Sequence, residues 1–236
     1  MTLTAVLLAG GESRRMGTEK ATIVFNGEPL WQRQIRLLHH LGSEKILVSA
    51  RTERSWRPAD TELVLDQPPS RGPISGLTAA LAGTRTSHLV ALGVDMPFVT
   101  AALLQDLCHR ANAGCGVVPT IGGRAEPLAA VYPVEAYVDF TAALTGNDWS
   151  LQPLVKRLVG EGKVQLVNVA EAQAELYRSL NEPQDLALCP RCSSCEESIP
   201  RNSRAVPESS RALSFAESSS IDWISLPGCA SPSGNG

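Results

Sequence analysis

Three glycines and three basic side chains fall within fourteen residues near the amino end, in Leu7-Leu-Ala-Gly-Gly-Glu-Ser-Arg-Arg-Met-Gly-Thr-Glu-Lys20. Such a loop suits a polyphosphate. Gly10 and Gly11 allow close backbone approach and can offer N–H groups as a nest for phosphate oxygens, while Arg14, Arg15 and Lys20 add charge-assisted donors. The spacing is neither the Gly-x-x-x-x-Gly-Lys-Ser/Thr of a P-loop nor the Gly-x-Gly-x-x-Gly of a dinucleotide fold, which counts against ATPase chemistry of the first kind and hydride transfer of the second. The bland alternative is a surface turn whose charges are merely solvated; the loop's position directly after an apolar run argues against it.

Two carboxylates end apolar runs further along. Val90-Ala-Leu-Gly-Val-Asp95-Met-Pro97 puts Asp95 at a strand end before a proline, where a hard oxygen donor could hold Mg²⁺ between triphosphate oxygens; an Asx-turn cap is the alternative. Asp66 could bind nucleotide or share a metal with Asp95, or serve as a turn residue before Pro68-Pro69. Gly72-Pro-Ile-Ser-Gly76 reads as a helix entrance whose free N–H groups could receive base or ribose oxygens, or as a tight loop needing glycine for conformation alone. His39, His40 and His109 fall on helices as solvated or partly packed residues, and Trp31 as a core anchor. Cys189-Pro-Arg-Cys192-Ser-Ser-Cys195 could supply thiolates to a metal, but a serine-rich surrounding offers little preorganised support.

These groups need a frame, and the alternation of short apolar runs with helical periods predicts one: an α/β, doubly wound, mostly parallel sheet of the Rossmann-like kind. The expected strands are Thr4–Leu8, Lys45–Ser49, Glu62–Leu65, His88–Val94, Gly116–Pro119, Leu128–Tyr132 and Val164–Val169. Helices are expected over Pro29–Leu41, closed by Gly42, and over Pro73–Leu81, Thr100–Asn112, Val134–Leu144 and Ser150–Val159, with Thr100 and Ser150 as N-caps. In such a sheet the loop and both carboxylates would gather at the carboxyl edge. The pattern stops near Ala187. The stretch onward holds 13 serines and 5 prolines without hydrophobic period, so residues 1–188 are expected to form one domain and 189–236 a low-complexity, disordered C-terminal tail.

Composition narrows the partners. With 236 residues, 43% hydrophobic and 19% charged, the chain has length for a sizeable core, and a net charge of −3 offers no general attraction to nucleic acid or an acidic membrane. No apolar run approaches a bilayer span and no basic segment precedes the first one, so no membrane partner and a cytoplasmic location are expected.

The loop resembles that of the molybdenum cofactor guanylyltransferases, within the wider nucleotidyltransferase family that shares Leu-Ala-(Gly/Ala)-Gly…Arg-Met-Gly…Lys. Val64-Leu-Asp66, Arg71-Gly-Pro-Ile-Ser-Gly76, Gly93-Val-Asp-Met-Pro97, Glu126-Pro-Leu128 and Leu180-Asn-Glu-Pro183 follow in the family's order, so that the likeness covers roughly residues 1–188. It implies that Leu8, Ala9, Gly10, Gly11, Lys20, Asp66 and Asp95 bind nucleotide and that Asp95 carries Mg²⁺. It implies further that Arg15, Lys20 and Asp95 are catalytic in transferring GMP from GTP to molybdopterin, giving molybdopterin guanine dinucleotide and pyrophosphate. GTP and the molybdenum cofactor would be the ligands, and proteins that mature molybdoenzymes candidate partners. Gly10 before Gly11, rather than alanine, resembles the guanylyl branch; a cytidylyl- or sugar-phosphate transferase of the same fold, or a nucleotide-binding regulator without turnover, remains an alternative. Arg51 departs from the family, which often carries asparagine there, and arginine cannot accept a hydrogen bond. Glu126-Pro-Leu and Asn181-Glu-Pro would lie toward the acceptor.

Overall fold

Along the strand Leu3–Leu8 (β1), Ala5 and Leu7 enter one apolar cluster while Val6 and Leu8 enter another, because successive strand side chains point to opposite faces. A strand apolar on both faces must be covered on both, and that requirement generates the three-layer architecture. The computed structural model describes residues 1–10, 19–66, 68–181 and 185. After β1 come a two-stranded hairpin, β2 (Val24–Phe25) and β3 (Glu28–Pro29), then α1 (Leu30–His39), β4 (Lys45–Ala50), β5 (Glu62–Leu65) and α2 (Pro73–Gly83). There follow β6 (His88–Gly93), α3 (Ala101–Arg110), β7 (Gly116–Ile121), β8 (Arg124–Ala125), β9 (Ala129–Pro133), α4 (Tyr137–Leu144), α5 (Leu151–Gly160), β10 (Val164–Asn168) and α6 (Glu171–Ala174).

The main sheet runs β10-β7-β9-β6-β1-β4-β5, with β8 paired to β7. Strands β5, β4, β1 and β6 are mutually parallel, and β7 and β10 are parallel to each other. Strand β9 runs antiparallel between β6 and β7. The expected doubly wound, mostly parallel sheet is therefore present, with one reversed strand at its centre that local sequence did not announce. Leu30, Ile35 and Leu38 of α1 and Leu104 and Leu107 of α3 pack one face; Ile74, Leu77 and Leu81 of α2, Phe140 of α4 and Leu154 and Leu158 of α5 pack the other.

All seven expected strands and five expected helices occur, with ends shifted by at most three residues. Thr100 accepts from the Leu103 amide and Ser150 from the Gln152 amide, as N-caps do. Two expectations change. Pro29 is not the first helical residue but pairs with Val24 in the hairpin and precedes the helix, its fixed φ suiting both. Val134–Ala136 winds as a 3₁₀ turn before α4. Strands β5 and β10 are sheet edges and only partly covered. The hairpin, β8 and α6 are additions too short to leave a period in sequence. Met1–Pro190 clusters as one compact unit; the expected tail lies outside the described residues. Among the described residues no helix is long and apolar enough to cross a membrane.

Candidate functional site

The chain passes from β1 outward to β4 and β5, then returns to the other side of β1 for β6, so a switch in strand order falls at β1. Loops leaving the carboxyl ends of diverging parallel strands open a crevice there. Here they contribute Ala9 and Gly10 after β1, Arg51 after β4, Asp66 after β5, and Val94 and Asp95 after β6, all lining one cavity of about 200 Å³. Backbone bonds extend the sheet into these loops: the Ala9 amide donates to Ser49 (2.9 Å), that of Asp66 to Ala50 (3.1 Å) and that of Val94 to Leu8 (3.1 Å).

Lys20 reaches the same cavity from the far end of the glycine-rich loop, where a 3₁₀ turn, Lys20–Thr22, sits on the buried Ala21. Its Nζ donates to Asp95 Oδ2 at 2.8 Å and to Asn181 Oδ1 at 3.1 Å. Both charged side chains keep about a fifth of their surface exposed (19% and 20%), so the pair adds little to stability and its position is the informative fact. Glu19, one residue earlier, accepts from Trp56 Nε1 at 3.0 Å and lies 3.3 Å from Arg54 Nε.

Asp66 is buried, and each carboxylate oxygen accepts a hydroxyl, Oδ1 from Ser49 at 2.9 Å and Oδ2 from Ser70 at 3.1 Å. Gly10 and Gly76 approach this carboxylate from two sides. A Cβ on Gly10 would stand 3.0 Å from Asp66 Oδ2; one on Gly76 would overlap Ser49 Oγ and stand 3.3 Å from Asp66 Oδ1. Gly72, at φ +77°, enters α2 in a conformation that side-chain-bearing residues rarely adopt, and Pro73 follows in the first turn.

Leu8, Ala9, Gly10, Lys20, Asp66 and Asp95 thus line one cavity. Gly11, Arg14 and Arg15 lie outside the described residues, as do Cys189, Cys192 and Cys195. His39 on α1 and His109 on α3 stay exposed, and His40, also exposed, caps the end of α1. Trp31 packs against the core and stacks on Trp56 with ring centroids 5.7 Å apart.

Sequence inspection missed Gln34. Fully buried in α1, it donates from Nε2 to the Met96 carbonyl at 2.7 Å, and Arg33 Nε donates to Pro97 O at 2.7 Å, fixing the turn that carries Asp95. The signal was a glutamine inside the apolar stripe Leu30, Ile35, Leu38. Ser49 and Ser70 were also missed, being ordinary strand and turn residues until Asp66 lies between them.

As a metal site the donors fit a hard divalent cation. Asp95 offers a carboxylate at the sheet edge, one oxygen of which accepts from Lys20, and both oxygens of Asp66 accept from hydroxyls. One carboxylate completed by phosphate oxygens is the coordination Mg²⁺ favours.

A family model for the MobA-like NTP transferase domain matches residues 5–161. A probable molybdenum cofactor guanylyltransferase of Opitutus terrae is 36% identical over 186 residues, covering 78% of this chain and 92% of that protein. Another, of Chloroflexus aggregans, is 31% identical over 196 residues, covering 80% and 93%. The crystal structure of molybdopterin-guanine dinucleotide biosynthesis protein A from Archaeoglobus fulgidus superposes with a TM-score of 0.62 at 23% identity, covering 78% of this chain and 95% of that one, and so shares the fold.

Proposed function

The chain belongs to the MobA-like NTP transferase family, and from that premise we propose that it transfers GMP from GTP to molybdopterin, forming molybdopterin guanine dinucleotide and releasing pyrophosphate. The donor and acceptor are those of the relatives, which match over nearly their whole length. One observation carries the reading: Lys20 and Asp95, 75 residues apart, meet at 2.8 Å at the carboxyl edge of the sheet, beside Gly10.

In the reaction an acceptor phosphate oxygen attacks the α-phosphorus of GTP; a P–O bond forms, and the bond from the α-phosphorus to the bridging oxygen breaks. A phosphate monoester is largely ionised at neutral pH, so the protein need not supply a general base. Its work is positioning and charge neutralisation. Gly10 and Gly11 cradle the phosphates, and Lys20 with Arg15 binds the triphosphate and stabilises the charge that grows on pyrophosphate. Asp66, fixed by Ser49 and Ser70, and the α2 entrance border the nucleoside. Asp95 would hold Mg²⁺, which would supply charge neutralisation to the phosphates. Cytoplasmic residence belongs to the same reading.

The test is thermal unfolding with GTP, CTP, ATP and UTP, with and without Mg²⁺, followed by pyrophosphate release on adding molybdopterin. GTP with Mg²⁺ at a hundredfold excess over Kd should raise Tm by roughly 5–10 °C. Asp95→Asn should keep the apo Tm and lower turnover by roughly 10²–10³-fold. A shift with CTP alone would reassign the donor, and GTP binding without any pyrophosphate release would make the protein a regulator.

A further inference from the structure

The connection from β5 to α2 forms one wall of the nucleotide cavity, where Asp66, Gly72 and Pro73 line it. Two of its ties are local: Ser70 donates to Asp66 Oδ2 at 3.1 Å, and the Arg71 amide donates to Ser75 Oγ, in the first turn of α2, at 2.8 Å. A third reaches a separate element. The Arg71 guanidinium lies over the Trp149 ring, its central carbon 3.9 Å from the ring centroid. Among the described residues the exposed Arg71 side chain has no hydrogen bond or ion pair, so the stack is what orients it.

Trp149, between α4 and α5, gives that contact a firm base. The next residue, Ser150, donates its amide to Asp148 at 2.8 Å. Gln152, in the first turn of α5, accepts from the Ala125 amide of β8 at 3.3 Å and donates to the Ala125 carbonyl at 2.8 Å. The indole packs against the apolar cluster shared by α2, α4 and α5. Its Nε1–H is buried and meets no acceptor among the described residues, so packing holds the ring and its π face is the group left to act. A guanidinium within about 6 Å of an indole centroid is attracted by the ring quadrupole, and its planar shape suits stacking as an ammonium does not.

We propose that Arg71 and Trp149 form a clamp that positions the nucleoside wall of the cavity. Both are positioning residues: they act through Ser70 on Asp66 and through Gly72 and Pro73 at the α2 entrance, without touching the nucleotide. With Arg71 released, the connection spends part of its time in arrangements where Ser70 leaves Asp66. A ligand then meets a competent wall only fractionally, and its apparent affinity falls by that fraction. The inference rests on the reading that this cavity holds a nucleoside triphosphate and needs nothing from the acceptor.

The test is a double-mutant cycle on the full chain, read in the Kd for GTP with Mg²⁺ by calorimetric titration. Arg71→Met keeps the aliphatic stem without the cation, and Trp149→Leu keeps apolar bulk without the face; each should weaken GTP about 2–5-fold. The double variant should bind no more weakly than either single one, and Trp149→Phe, which retains a π face, should recover most of the wild-type affinity. Trp149→Met, a flexible apolar filler, takes the place of Trp149→Leu in the cycle if that variant does not fold. Losses that multiply in the double variant, unchanged affinity in Arg71→Met, or a Trp149→Phe as weak as Trp149→Leu would overturn the clamp while leaving the nucleotide reading intact. Absence of GTP binding by wild type would instead remove that reading and the clamp with it.

Discussion

At the scale of single residues, Asp66 shows how hydroxyl groups set a carboxylate in place. Two hydroxyls hold its oxygens and two glycines leave it room, and the glycines differ in how much they tolerate. A methyl group at Gly76 would overlap Ser49 Oγ and press on Leu8 Cδ2 at 3.1 Å, so Ser49 must abandon Asp66. Gly76→Ala should therefore lower Tm by roughly 2–12 °C, the cost of overpacking by one methyl, and weaken GTP binding. At Gly10 the one tight neighbour among the described residues is Asp66 Oδ2 at 3.0 Å, and a few tenths of an ångström of movement suffices. Gly10→Ala should leave Tm nearly unchanged and act on nucleotide affinity alone. Thermal unfolding with and without GTP checks both; equal stability of the two variants would show that Gly76 is not constrained by packing.

Among elements, the turn beginning at Lys20 has to be held while the preceding loop meets a ligand. Glu19 does this by linking the loop's end to Trp56 and Arg54 in the β4–β5 connection, and Trp56 in turn stacks on Trp31 of α1. Glu19→Ala should raise the KM for GTP by roughly 3–30-fold, the loss of one charged hydrogen bond, with Tm changed by only a few degrees. Steady-state kinetics checks it, and an unchanged KM would show that Lys20 is positioned by Ala21 and the turn alone. The reversed strand β9 is likewise an arrangement of elements. Gly116 lets β7 approach so closely that a Cβ would overlap the Val131 carbonyl and stand 2.9 Å from Pro133 Cδ. That approach brings the Glu126–Leu128 segment to the cavity's edge.

For the whole molecule, the family match ends at residue 161 and the relatives align over about four-fifths of the chain. The residues lining the cavity all fall between Leu8 and Leu128. A chain ending at Leu188 should accordingly keep the GTP-dependent Tm shift and pyrophosphate release within about twofold of the full chain. Loss of either on truncation would assign residues 189–236 a part in the reaction.

By itself the sequence determined which of the longer segments become strands and helices, since a run apolar on both faces can be satisfied only inside a covered sheet. It also marked Gly10, Lys20, Asp66 and Asp95, because glycine pairs, basic groups and carboxylates at the ends of such runs have few other uses. What it withheld were relations between distant residues. The direction of β9, the Lys20–Asp95 pair across 75 positions, the hydroxyl clasp on Asp66 and the support from Gln34 leave no local period. Each depends on which strand lies beside β1. That choice is made by burying two apolar faces at once, so only the tertiary structure decided it.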